Sequence, residues 1–251
     1  MNNFSKIYTA EELKGNKTIT LVSLPMEESI MVPVAWAIDL MKQGQNVLYF
    51  TFDHDSIKVN EFFKMALSNY NAEEAAGITG NLAIIDASQI PNGTSWETFL
   101  KDAIMEVKNE CELNFVFFDV MDFIKNNQEG LTETLSNISF MSMFTKIIVN
   151  TAGAPVITAI QDPKQAEKQA ELLANTTMDE MLETSSKLVE KSNLVLGIKR
   201  EKKSFWKKVL NFLLFWRKSN NFTLKVLKNK NGKKKSYRMN LDMDTSKTEI
   251  L

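Results

Sequence analysis

The sequence is poor in the residues that most often build reaction centres. Among 251 residues there is one cysteine, Cys111, and one histidine, His54. A single cysteine forms no internal disulfide, and one of each cannot assemble a Cys/His zinc centre. A Ser-His-Asp or Cys-His triad would have to use His54, which lies in Asp53-His54-Asp55 just after an apolar run and reads as a solvated loop histidine. Nine glycines and five prolines exclude collagen-like or low-complexity structure. No segment reaches the ~18 apolar residues that span a bilayer. Residues 1–17 are polar and lack the apolar stretch of a signal peptide. A cytoplasmic protein is expected.

Hydrophobic residues make up 44% and charged residues 24% of the chain, ordinary globular values. The net charge of −1 hides an asymmetry. Residues 199–238 carry fifteen Lys/Arg against one acidic residue, Glu201, which leaves fifteen basic and thirty acidic residues elsewhere. An acidic body with a basic C-terminal region points to an anionic partner for that region. A merely solvated basic surface is the plainer alternative.

Apolar runs alternate with helical periods. Strands are predicted at 18–23, 46–52, 82–86, 115–119, 155–160 and 194–198, and helices at about 30–42, 56–70, 95–111 and 131–149. Pro33 falls in the first turn of the first helix, where proline is tolerated. Residues 222–227 and 236–241 form a closing hairpin around Asn231-Gly232, a strong turn signal. The fold class is therefore α/β: one domain over 1–251, with a mostly parallel sheet covered on both faces.

Ligands of such sheets bind beyond the carboxyl ends of the strands. The loop after the first strand is Leu24-Pro25-Met26-Glu27-Glu28-Ser29-Ile30. A phosphate-binding loop needs glycines, a lysine and a Ser/Thr for magnesium. This loop has neither glycine nor lysine. Its two carboxylates would face a triphosphate, each unit-charge pair repelling by about 4 kcal/mol at ~4 Å and an effective dielectric near 20. Asp119 ends an apolar strand, where an aspartate either holds magnesium through water or caps the following turn. Gln161 closes the 155–160 strand. Lys228-Asn229-Lys230-Asn231-Gly232 is a basic turn that suits phosphate or a neighbouring subunit.

Taken in order, these segments resemble the RecA-like motor domain of DnaB-type replicative helicases, over roughly residues 15–242. Glu28-Ser29-Ile30 fall where that family carries Gly-Lys-Thr. The stretch from Lys42 to Phe50 is similar to its helix end and second strand, with Asp53 near the catalytic glutamate. Phe117-Phe118-Asp119 resembles its Walker B strand, and residues 155–161 its sensor strand ending in glutamine. Residues 195–201 resemble the strand bearing its arginine, here Arg200. Lys228 and Lys230 match the hairpin that acts in trans on a neighbour's nucleotide. The resemblance implies a degenerate nucleotide site, with Asp53, Asp119 and Gln161 vestigial, no cofactor, and homo- or hetero-oligomers by analogy. ATP and magnesium would serve only if the chain is an active, divergent motor.

Within the domain, residues 202–220 form an unusual insert. Phe205, Trp206, Phe212, Leu213 and Trp216 stand beside Lys207, Lys208, Asn211 and Lys218, a narrow polar stripe if the segment is helical. Such a segment suits a membrane interface, a protein partner with aromatic anchors, or docking on its own domain. The expected function is a non-catalytic, nucleic-acid-associated scaffold or modulator. Lys225, Lys228, Lys230, Lys233, Lys234, Lys235 and Arg238 would supply phosphate contacts. An active ATP-driven translocase and a membrane-surface adaptor are the alternatives.

Overall fold

The computed structural model describes residues 4–15, 17–23, 28–51, 56–68, 70–87, 93–119, 133–161, 192–200, 219–230, 236–242 and 247–251. Six parallel strands carry the fold: β1 (Thr18–Ser23), β2 (Val47–Thr51), β3 (Leu82–Asp86), β4 (Phe115–Asp119), β5 (Val156–Gln161) and β6 (Leu194–Arg200). Each is a near-continuous apolar run, the pattern of a strand buried on both faces. Three antiparallel strands follow: β7 (Ser219–Asn229), β8 (Ser236–Asp242) and β9 (Lys247–Ile250). The order across the sheet is β3-β2-β4-β5-β1-β6-β7-β8-β9.

Chain direction decides which face each helix covers. The connections from β1 to β2 and from β2 to β3 step toward the β3 edge, through α2 (Glu28–Lys42) and α3 (Ser56–Ser68). Those from β3 to β4 and from β4 to β5 step back, through α5 (Trp96–Glu110) and α6 (Glu133–Ala152). Right-handed crossovers therefore place the two pairs on opposite faces, and two separate apolar clusters result. The reversal falls beside β1 and β5, which makes their carboxyl ends the switch point.

Helix α2 is buried all round. Every residue from Ile30 to Met41 is enclosed, as expected for a helix apolar on all sides. Its outer side is sealed by the chain's start, a 3-10 turn (Phe4–Lys6) and α1 (Ala10–Lys14). Phe4 stacks on Trp36 with ring centroids 5.3 Å apart, and Leu13 is fully buried. Burying such side chains contributes about 1.5–3 kcal/mol each. Thr9 and Glu12 form a reciprocal capping box that starts α1.

On the other face, Ser95 caps α5 by accepting from the Thr98 N–H. Leu100, Ala103 and Ile104 form the buried stripe. Helix α6 locks against it through Trp96 and Phe144, 5.1 Å apart. The Lys108 ammonium donates to the carbonyls of Thr151 and Ala152 at the end of α6, and Gly153, at φ 68°, turns the chain out. At the amino ends of the strands, asparagines act as ties. The Asn46 side chain accepts from the Asn81 N–H at 2.9 Å and donates to the Glu112 carbonyl at 2.7 Å. Asn193 Oδ1 accepts from the Thr18 N–H and hydroxyl.

Several sequence expectations shift. Helix α2 begins at Glu28, so Glu28 and Ser29 are helical rather than loop, and Pro33 is the sixth residue, past the first turn. The donor it lacks would have met the Ser29 carbonyl, one bond near the helix start. Ser219 and Asn220, assigned to the insert, belong to β7. Strand β9, α1 and the short helix α4 (Ala72–Ala76) were not foreseen.

Candidate functional site

The carboxyl edge of the parallel strands gathers polar side chains on the α2 face. Tyr49 and Phe117 pack in the α2-side cluster, and residues two further on point the same way. The register sets Asp86, Thr51 and Asp119 side by side on β3, β2 and β4. One step along, Ser23 of β1 pairs with Gln161 of β5. Asp119 is 1% exposed, Thr51 0% and Ser23 3%, which makes this a buried polar row under the strand ends. Asp86 accepts from the Ser56 N–H, at 3.5 Å, at the start of α3.

Tyr49 is the most unusual member. It is sandwiched by Phe117, stacked at 5.8 Å, and by Phe63, edge-on at 5.7 Å. Its hydroxyl is buried and has no hydrogen-bond partner among the described residues. Burial first, and then the negative charge of Asp119, push the phenol well above its ordinary range. The pairing places a carboxylate at the end of β4 in electrostatic reach of a buried phenol. A carboxylate flanked by hydroxyls can accept hydrogen bonds or hold a hydrated cation.

The other sequence-predicted residues scatter. Glu28 and Ser29 are the first two residues of α2. A negative residue in a helix's first turn complements the helix dipole. Ile30, where the resemblance would put the magnesium-binding hydroxyl, is 4% exposed inside the α2-side core. Arg200 ends β6 at the carboxyl edge, whereas the Lys230 N–H bonds the Asn193 carbonyl at the amino edge. At ~3.3 Å per residue the two backbones are about 20 Å apart, so one chain does not bring Arg200 and Lys230 together. Lys225 and Lys228 are half-buried on β7, and Arg238 is exposed on β8. Asp53, His54, Lys233, Lys234, Lys235 and the insert residues Phe205, Trp206, Phe212, Leu213 and Trp216 lie outside the described residues.

Sequence reading missed Ser23, Tyr49, Thr51 and Asp86. Each is a polar residue at or near the end of an apolar run, which was a usable signal, but only the register shows that they align. A cavity of about 420 Å³ lies elsewhere, on the opposite face near the amino edge, lined by Thr18, Thr20, Thr145, Thr158, Ser192 and Asn193. Among the described residues no three His, Cys, Asp or Glu side chains converge on a metal-sized site. No described helix is long and apolar enough to cross a membrane.

Solved structures with this architecture include helicase motor domains. One, an ATPase domain, aligns over 95% of this chain and 86% of its own, with a TM-score of 0.65 and 13% identity. A second, "The Structure Of A DnaB-Like Replicative Helicase And Its Interactions With Primase", aligns over 92% of this chain and 57% of its own, with a TM-score of 0.63 and 11% identity. The chain shares the fold of these ATPase and DnaB-like helicase domains. No protein-family model and no curated protein matches the sequence. In open sheets of this kind ligands bind beyond the carboxyl ends of the strands, the edge just described.

Proposed function

We infer that this chain is a non-catalytic relative of the DnaB-type motor that retains the fold and binds nucleic acid. The observation that carries the reading is at the carboxyl edge of the sheet. Residues 24–30, which run into the first turn of α2, contain no glycine or lysine, and the last of them, Ile30, is a core side chain rather than a ligand. Backbone amides without glycine turns do not wrap a triphosphate, and nothing in Glu27-Glu28-Ser29 supplies the positive charge that would hold one. The buried row of Asp119 and Thr51 then acts as structure at the end of the sheet.

The basic stretch 199–238 supplies the anionic partner's counterpart, and nucleic acid is the partner consistent with the fold. In this reading the chain serves as a scaffold or modulator.

The test is equilibrium binding of a fluorescent ATP analogue with magnesium, alongside binding of a fluorescent single-stranded oligonucleotide. The reading expects oligonucleotide binding that weakens steeply with salt and no saturable nucleotide binding. Stoichiometric, magnesium-dependent ATP binding would overturn the non-catalytic half. A flat salt response would overturn the other.

A further inference from the structure

The antiparallel end of the sheet has two unlike faces. Leu194, Leu196 and Ile198 on β6, Phe222, Leu224 and Val226 on β7, and Met239 on β8 pack into the α2-side core. The alternate positions form the opposite face. Register places Lys199, Thr223 and Arg238 in one row across the three strands, and Gly197, Lys225 and Ser236 in the next. A register shift between Val195 and Leu196 sets Lys228 opposite Val195, on the same face. Thr223, Lys225 and Lys228 are half-buried and Ser236 and Arg238 exposed, whereas Val195 and Gly197 are buried, so this face meets solvent at β7 and β8.

No acidic residue occupies these rows. The nearest acidic register positions are Asp242 and Glu249, toward the β9 edge, and they bound the patch. Among the described residues its aromatic neighbours, Phe222 and Tyr237, pack on the core side. Resting on the nucleic-acid reading above, we propose that this face of β7 and β8 is the surface that binds nucleic acid, through its phosphate backbone. Cations interleaved with Thr and Ser hydroxyls at strand spacing fit phosphate oxygens. With no ring among the described positions of these rows on which a base can stack, recognition is sequence-tolerant and dominated by counterion release. The described positions of these rows present no exposed apolar side chain that a membrane interface would take up, Val195 being buried.

The experiment follows a fluorescent oligo-dT of about twenty nucleotides by anisotropy from about 50 to 200 mM salt. Three engaged cations, Lys225, Lys228 and Arg238, predict a log–log slope of about −2.1 at ~0.7 per neutralised phosphate. Lys225→Gln and Arg238→Gln should each flatten it by about 0.7, and Lys64→Gln, on the exposed side of α3, should not. Oligonucleotide binding whose slope is unmoved by Lys225→Gln and Arg238→Gln, but is lost when Lys233, Lys234 and Lys235 are replaced together, would overturn this surface while leaving nucleic-acid binding standing. No oligonucleotide binding at low salt would overturn both. Binding to vesicles containing anionic lipid in place of the oligonucleotide would also overturn the proposal.

Discussion

Replacing Ile30 separates a core residue from a ligand. Ile30 is the third residue of α2, 4% exposed and enclosed by the α2-side cluster. Ile30→Val removes one methylene and should destabilise by about 0.5–1.5 kcal/mol. Ile30→Thr loses similar apolar bulk and also buries a hydroxyl, which adds about 1–3 kcal/mol where no partner is supplied. The threonine variant is thus expected about 2–4 kcal/mol below the parent. That corresponds to a fall in Tm of about 5–15 °C at 2–4 °C per kcal/mol for a chain of this size. Urea unfolding followed by circular dichroism reads the effect as a lower midpoint with an unchanged m-value. If Ile30→Thr left stability within about 0.5 kcal/mol and Mg-ATP then raised its Tm, Ile30 would be a nucleotide-loop residue and the reasoning would fail.

Other outcomes follow from the same contacts. Tyr49→Phe removes a buried hydroxyl with no partner and should be neutral or stabilising by up to about 1 kcal/mol in urea melts, and a loss above that would reveal a hidden hydrogen bond. At Gly80 a Cβ would collide with the Gln45 backbone, so Gly80→Ala should lower stability by about 2 kcal/mol or more, and a neutral result would mean the two turns separate freely. Asn46→Ala cuts the side-chain ties from β2 to the chain before β3 and β4; because these are partly solvated, a midpoint loss of about 1–2 kcal/mol is expected. Burial raises the phenols of Tyr8, Tyr49 and Tyr70 above their unfolded value. Their contribution is complete below about pH 10, where unfolded tyrosine is still protonated, and is lost as pH rises above it toward the folded values. The urea midpoint should therefore drop from pH 9 upward less steeply in Tyr70→Phe than in the parent; parallel pH curves would contradict this.

How far the sequence could be read depended on what each element buries. The runs Val47–Thr51 and Phe115–Asp119 are apolar throughout and enclosed on both faces, so they were visible as parallel strands. Strand β9 carries Lys247-Thr248-Glu249 and is held by pairing to β8, a contact that composition does not announce. The Thr9–Glu12 and Asn71–Glu74 capping boxes were legible signals for α1 and α4, but the five-residue helices behind them have little periodicity. The start of α2 was misplaced because Glu28 and Ser29 look like loop residues, yet acidic and hydroxyl residues suit a helix's first turn. At the candidate site, Asp119 and Gln161 stood out as polar ends of apolar strands. Their alignment with Thr51 and Ser23 depends on strand order, and β1 lies next to β5 although more than a hundred residues separate them. Likewise the basic residues of 199–238 were countable, but the alignment of Lys225, Lys228 and Arg238 on one sheet face needed the register.

The most direct test of the central claim is ATP turnover by the purified chain, with and without single-stranded DNA, at low and moderate salt. The account predicts no turnover above background under any of the four conditions, while the DNA still binds at low salt. Magnesium-dependent hydrolysis stimulated by DNA would contradict it and show that Glu28-Ser29-Ile30 belongs to a working nucleotide site.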